Sequence, residues 1–92
     1  MSGEELRTAR QRIGEVALDD RLSYSDMARL VSLSDPTGNG KDTVRKWEDG
    51  DGPSGPVTAL VRLLVAGLDH DDDNVVGFFV GYVIERTGII PL

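Results

Sequence analysis

Two runs of turn-forming residues cut this chain into short pieces and so limit what it can fold into. Ser34-Asp35-Pro36-Thr37-Gly38-Asn39-Gly40 and Asp49-Gly50-Asp51-Gly52-Pro53-Ser54-Gly55-Pro56 are made of turn formers and include glycines that easily adopt positive φ, and neither is expected to continue a helix. Around them, apolar residues recur at three- and four-residue steps, the period of a helix face. Ser2-x-x-Glu5 has the form of a capping box, and Leu6, Ala9, Ile13 and Ala17 follow it as one side of a first helix. Gly14 lies inside that helix at a cost of about 1 kcal/mol relative to alanine, a point where it can fray or stop before Asp19-Asp20.

A second start signal, Ser23-x-x-Asp26, precedes Met27, Ala28, Leu30 and Val31, the apolar side of a short helix expected to end near Ser32–Ser34. After the Ser34–Gly40 loop, a third helix is expected from Lys41 to Glu48. Val44 and Trp47 lie three apart on its inner side, and Lys41, Asp42, Arg45 and Lys46 lie on the others. Trp47 shares a face with Val44 and reads as a core anchor rather than a base-stacking residue. Pro56 suits the first turn of a fourth helix, where a missing N–H costs nothing, and Val57, Leu60, Val61, Leu64, Val65 and Leu68 make that helix apolar enough for burial. The acidic run Asp69–Asp73, interrupted by His70, separates it from Val75–Ile84. That segment suits a helix, with carboxylates at its N-terminus, and also a strand, from its Val, Phe and Tyr content; the helix is preferred.

Charge and composition exclude several classes. The chain of 92 residues has a single domain's length and no cysteine, so neither disulfides nor a zinc knuckle supply stability, and dimerisation is a natural source of it. The acidic start Met1-Ser2-Gly3-Glu4-Glu5 lacks a signal-peptide core, and no stretch approaches the roughly 20 apolar residues of a membrane span, so the chain reads as cytoplasmic. A formal charge of −6 argues against indiscriminate binding to nucleic acid. Its distribution matters more: residues 1–46 hold eight basic and eight acidic residues, whereas 47–92 hold two and eight, so a basic face can exist in the first part.

Tempting motifs fail on their chemistry. Gly50-Asp51-Gly52-Pro53-Ser54-Gly55 satisfies G-x-G-x-x-G, yet no strand precedes it and two prolines, Pro53 and Pro56, flank its end. Gly40-Lys41 is followed by Asp42 where a phosphate loop needs Ser or Thr. Asp69, Asp71 and Asp73 alternate as in a calcium loop, but Asn74 stands where glycine is required and Val80 where the bidentate glutamate belongs. His70 is the only histidine and has no recognisable nucleophile partner, so the chain is not expected to be an enzyme, and no cofactor or metal is expected.

The informative feature is the order of helix two, turn, helix three and a Trp-Glu-x-Gly ending. Base reading needs a short protruding helix whose outward residues reach the major groove, while phosphates are held by polar side chains and helix starts. Leu6–Leu64 resembles the Xre/Cro (lambda-repressor-like) helix-turn-helix family. The resemblance lies in Leu6-Arg7-x-x-Arg10, Tyr24-Ser25-Asp26-Met27-Ala28-Arg29-Leu30-Val31, Thr43-Val44-Arg45-Lys46-Trp47-Glu48-Asp49-Gly50, and the Gly52–Leu64 loop and helix. It implies base reading by Lys41, Asp42 and, one turn later, Lys46. It also implies phosphate or base-edge contacts by Thr43 and Arg45, a phosphate contact by Ser25, and a bacterial or phage dimeric repressor or autoregulator. Two departures stand out: the turn is about half a dozen residues longer than the usual four, and the chain is acidic.

The expected architecture is therefore all-α, a compact four- to five-helix bundle containing a helix-turn-helix with an extended turn. Residues 1–68 form the DNA-binding part, and 69–92 form a C-terminal segment that serves dimerisation or completes the core, dimerisation being preferred. The expected partner is double-stranded DNA carrying an inverted-repeat operator, met by a homodimer without a membrane. Arg7, Arg10 and Arg12 fit a solvated helix face and a phosphate-contacting one equally. The competing reading is an acidic protein–protein interaction module or inhibitor built on the same scaffold.

Overall fold

The computed structural model describes residues 1–89, and among them it contains five helices and no strand: α1 (Gly3–Leu18), α2 (Tyr24–Leu30), α3 (Asn39–Asp49), α4 (Gly55–Leu68) and α5 (Asp73–Thr87). The Cα radius of gyration, 12.3 Å, matches the ~12 Å expected of a chain this long packed around one core. None of these helices is long and apolar enough to cross a membrane.

Helix α1 starts as its sequence implies, with the Ser2 hydroxyl accepting from the Glu5 N–H at 3.0 Å. Leu6, Ala9, Ile13 and Ala17 are all buried on one side. The expectation of a break at Gly14 is not met. The helix runs to Leu18 and ends at Asp19, whose φ is 51°. Gly14 is buried beneath the returning chain: a Cβ there would lie 2.5 Å from the Asp20 carbonyl oxygen and 2.6 Å from the Leu22 nitrogen. Glycine is present so that the α1–α2 link can cross close over the helix, which puts Leu22 in the core.

Leu6, Ile13, Leu22, Met27, Leu30, Val44, Val61, Leu64 and Val83 are the largest fully buried side chains, so every helix contributes to one core. The α5 contribution decides the open question about Val75–Ile84. It is helical and packs against α1, α2 and α4, with Val83 and Thr87 buried. A Cβ on Gly67 of α4 would collide with the Phe79 ring, so α4 and α5 approach closely there. The C-terminal segment thus completes the core, while Phe78 on its other side stays 71% exposed. Residues 90–92 of that segment lie outside the described residues.

Helix propensity alone expects Gly14→Ala to stabilise the chain by about 1 kcal/mol. Close packing against backbone expects the opposite, a loss of about 1–3 kcal/mol. Urea denaturation of the variant decides between them, and an increase in stability contradicts the packing described for α1.

Candidate functional site

The unit α2–turn–α3 is built by local hydrogen bonds. Ser23 caps α2: its hydroxyl accepts from the Asp26 N–H at 3.1 Å and donates to Asp26 Oδ2 at 2.9 Å, and Arg29 pairs with Asp26 Oδ1 at 2.7 Å. The extended turn, residues 31–38, makes the start of the next helix itself. The Asp35 carbonyl accepts from the N–H groups of Gly38 and Gly40 at 3.0 and 2.9 Å, and Asp35 Oδ2 accepts from the Asn39 N–H at 3.1 Å. Helix α3 therefore begins at Asn39, two residues before the Lys41 start expected from the turn composition. A carboxylate already sits at its positive end. Arg86 of α5 donates to the Arg29 carbonyl at 3.3 Å and to the Ser32 hydroxyl, tying the turn to the C-terminal helix.

Helix α3 is attached to the body by two kinds of contact. Val44 is fully buried, as its spacing implies, but Trp47 is only half-buried. Much of the role expected of Trp47 belongs to Glu48, 5% exposed, whose carboxylate meets Arg10 Nε at 2.6 Å and Nη2 at 3.0 Å. Arg10 Nη1 donates to the Leu22 carbonyl at 2.7 Å, and its guanidinium lies 4.6 Å from the Tyr24 ring centre. Arg7 adds contacts to Glu48 Oε1 and Asp49 Oδ1, each at 3.3 Å. Of the three α1 arginines, Arg10 is buried and so is not part of a solvated face, while Arg7 and Arg12 are exposed. Arg7 and Arg10 hold the end of α3, and Arg12 pairs with Asp69 at 2.8 Å and Glu15 at 3.4 Å. The hydrogen bond to Asp69 and then its charge raise the Arg12 pKa above its ordinary value; desolvation opposes them, and Glu15 adds a lesser increase.

The residues expected to meet DNA fall into two groups. Gly40, Val44 and Glu48 face inward, so a 100° step per residue puts Asp42 and Lys46 on the opposite side of α3 and Arg45 on its flank. Arg45 and Lys46 are exposed; Asp42 is half-buried and lies 3.6 Å from Arg45. Thr43 is half-buried and donates its hydroxyl to the Asn39 carbonyl at 2.8 Å. Lys41 and Ser25 instead line a cleft of about 520 Å³ between α1, the start of α2 and the start of α3, together with Gln11, Arg21 and Ser23. Arg21 and Gln11 escaped the sequence reading because nothing in their spacing marks them; only the fold brings them beside Lys41.

A second groove, about 480 Å³, lies between α1 and α4 over Ala9, Val65 and Ala66. Its cations are paired, Arg62 with Glu5 at 3.1 Å and Arg12 with Asp69 at 2.8 Å. Among the described residues, no three side chains of His, Cys, Asp or Glu converge as a metal site. No protein-family model, curated protein or solved structure matches this chain.

The two attachments of α3 differ in what their loss leaves behind. Glu48→Ala strands a buried guanidinium and is expected to cost about 3–5 kcal/mol. Trp47→Ala removes a half-buried ring and is expected to cost roughly 2 kcal/mol, below the range for a fully buried tryptophan. Thermal or urea unfolding of both variants checks the order, and a larger loss at Trp47 contradicts the assignment of Glu48 as the principal anchor.

Proposed function

We propose that this chain is a sequence-specific double-stranded DNA-binding transcriptional regulator, a dimeric repressor or autoregulator of the helix-turn-helix kind. It lays the outer face of α3 in the major groove of each half of an inverted-repeat operator. The observation that carries this reading is the division of α3 into two sides. Val44 and Glu48 fix the inner side to the body, and Lys46 on the outer side and Arg45 on the flank stand exposed. Among the described residues Lys46 has no carboxylate partner. A rigidly held helix with a cationic outer face meets both requirements of base reading, fixed position and reach. The order of residues from Thr43 to Gly50 supports the same reading.

The acidic-module reading needs the run Asp71–Asp73. Asp72 caps α5 by accepting from the Asn74 N–H at 2.8 Å, whereas Asp71 and Asp73 are exposed. What favours the DNA reading over it is the exposed cation Lys46 on the held helix α3.

Lys46→Ala is expected to keep the fold and to cost about 1–3 kcal/mol on the specific site, with a much smaller effect on random duplex. Titration against DNA from upstream of the chain's own gene and against a scrambled duplex, at one salt concentration, measures this. Equal binding of both duplexes by the unaltered chain contradicts the reading.

Dimerisation has its best candidate surface on α5, where Gly77, Phe78 and Gly81 are exposed on one side, with Leu63 of α4 also 57% exposed. Sedimentation at micromolar concentration is expected to give a dimer for the unaltered chain and a folded monomer for Phe78→Asp. A monomeric unaltered chain that binds the operator tightly removes this part of the proposal.

A further inference from the structure

The cleft between α1, α2 and α3 has a charge opposite to that of the chain. The sequence carries 16 acids against ten Lys and Arg, yet no carboxylate lines this cleft and Arg21 and Lys41 both do. Neither cation pairs with a carboxylate among the described residues. Three acids of the adjoining helices are engaged elsewhere: Asp26 with Ser23 and Arg29, Asp42 with Arg45, and Glu48 with Arg10 and Arg7; Asp20, next to Arg21, accepts from the backbone N–H of Arg21. Arg10 also lines the cleft, but Glu48 and the Leu22 carbonyl occupy its donors. The α1–α4 groove provides the contrast, because there each arginine has its own acid.

We infer that this cleft is a phosphate site in which Arg21 and Lys41 hold one phosphate group from two sides, with the Gln11 amide and Ser25 hydroxyl as further donors. Among the described residues none of these four side chains takes an internal hydrogen bond. A guanidinium fork opposite an ammonium suits an anion whose charge is spread over several oxygens. The start of α3 does not compete for that anion, since Asp35 already occupies it. The inference rests on the DNA-binding reading only for the source of the phosphate, a backbone diester beside the bases met by α3. It changes the role of Lys41, which anchors the backbone instead of reading a base.

The test uses the full chain, Arg21→Ala, Lys41→Ala, the charge-keeping Arg21→Lys, and Arg62→Ala from the other groove as control. Inorganic phosphate is titrated first, followed by amide NMR; the inference expects shifts at Ser23, Ser25 and Lys41 that Arg21→Ala abolishes and Arg62→Ala leaves in place. With duplex DNA, either alanine variant in the cleft should weaken binding to own-promoter and scrambled sequence by the same factor. Each should also lower the slope of log affinity against log salt by about one, with Arg21→Lys retaining the slope. If phosphate shifts the cleft amides but no duplex binds, the phosphate site stands, its source is a free phosphate compound, and the DNA reading falls. If Lys41→Ala loses preference for the own-promoter duplex at an unchanged salt slope, Lys41 reads bases and the inference is overturned. It is overturned equally if phosphate moves no cleft amide.

Discussion

The ion pair between Arg10 and Glu48 is the contact on which the placement of α3 depends. It joins the middle of the first helix to the last turn of the third, and the same guanidinium holds the Leu22 carbonyl and stacks on Tyr24. One side chain therefore sets the relative positions of α1, the α1–α2 link, α2 and α3. A buried pair of this kind is weak evidence for stability, because desolvating two charges offsets much of their attraction. Its value here is geometric. An apolar contact such as Val44 permits rotation and sliding of a short helix, whereas a two-pronged carboxylate–guanidinium contact fixes its register and roll.

Much of the fold was legible because helix period and turn chemistry agree along the chain. The Ser2 and Ser23 caps, the inward set Leu6, Ile13, Met27, Leu30, Val44 and Leu64, and the breaks near 34 and 50 fall where those rules put them. The failures have specific causes. Intrinsic propensity puts a break at Gly14, but what Gly14 does is tertiary, letting the chain cross over α1. Composition puts Asn39 and Gly40 in the loop, although Asp35 supplies the hydrogen bonds that let a helix begin there. Trp47 shares a face with Val44, which implies an anchor, yet it is only half-buried. Glu48 sits four residues after Val44, as Arg10 sits four after Leu6. Opposite charges at core spacing on two helices were the available signal for a buried pair.

The candidate site was less legible than the fold, because its parts come from different elements. Positions on α3 follow from the helical period alone, so Arg45 and Lys46 are exposed as expected. The grouping of Lys41 with Ser25, Gln11 and Arg21 depends on how α1 and α3 converge, which no local pattern encodes. Net charge was similarly incomplete as a guide. A chain at −6 can still present local positive potential where cations gather without carboxylates, and the Arg7, Arg12 and Arg62 contacts engage acids away from the cleft.

Docking of α3 on DNA is read most directly from an amide chemical-shift map of the labelled full chain, titrated with duplex DNA from upstream of its own gene. Perturbations are expected to concentrate on α3 around Asp42, Arg45 and Lys46 and around the cleft formed with Ser25. Residues 69–73 are predicted to stay unmoved. Shifts confined to the acidic 69–73 link, or no shift on α3 at saturating DNA, would contradict that docking.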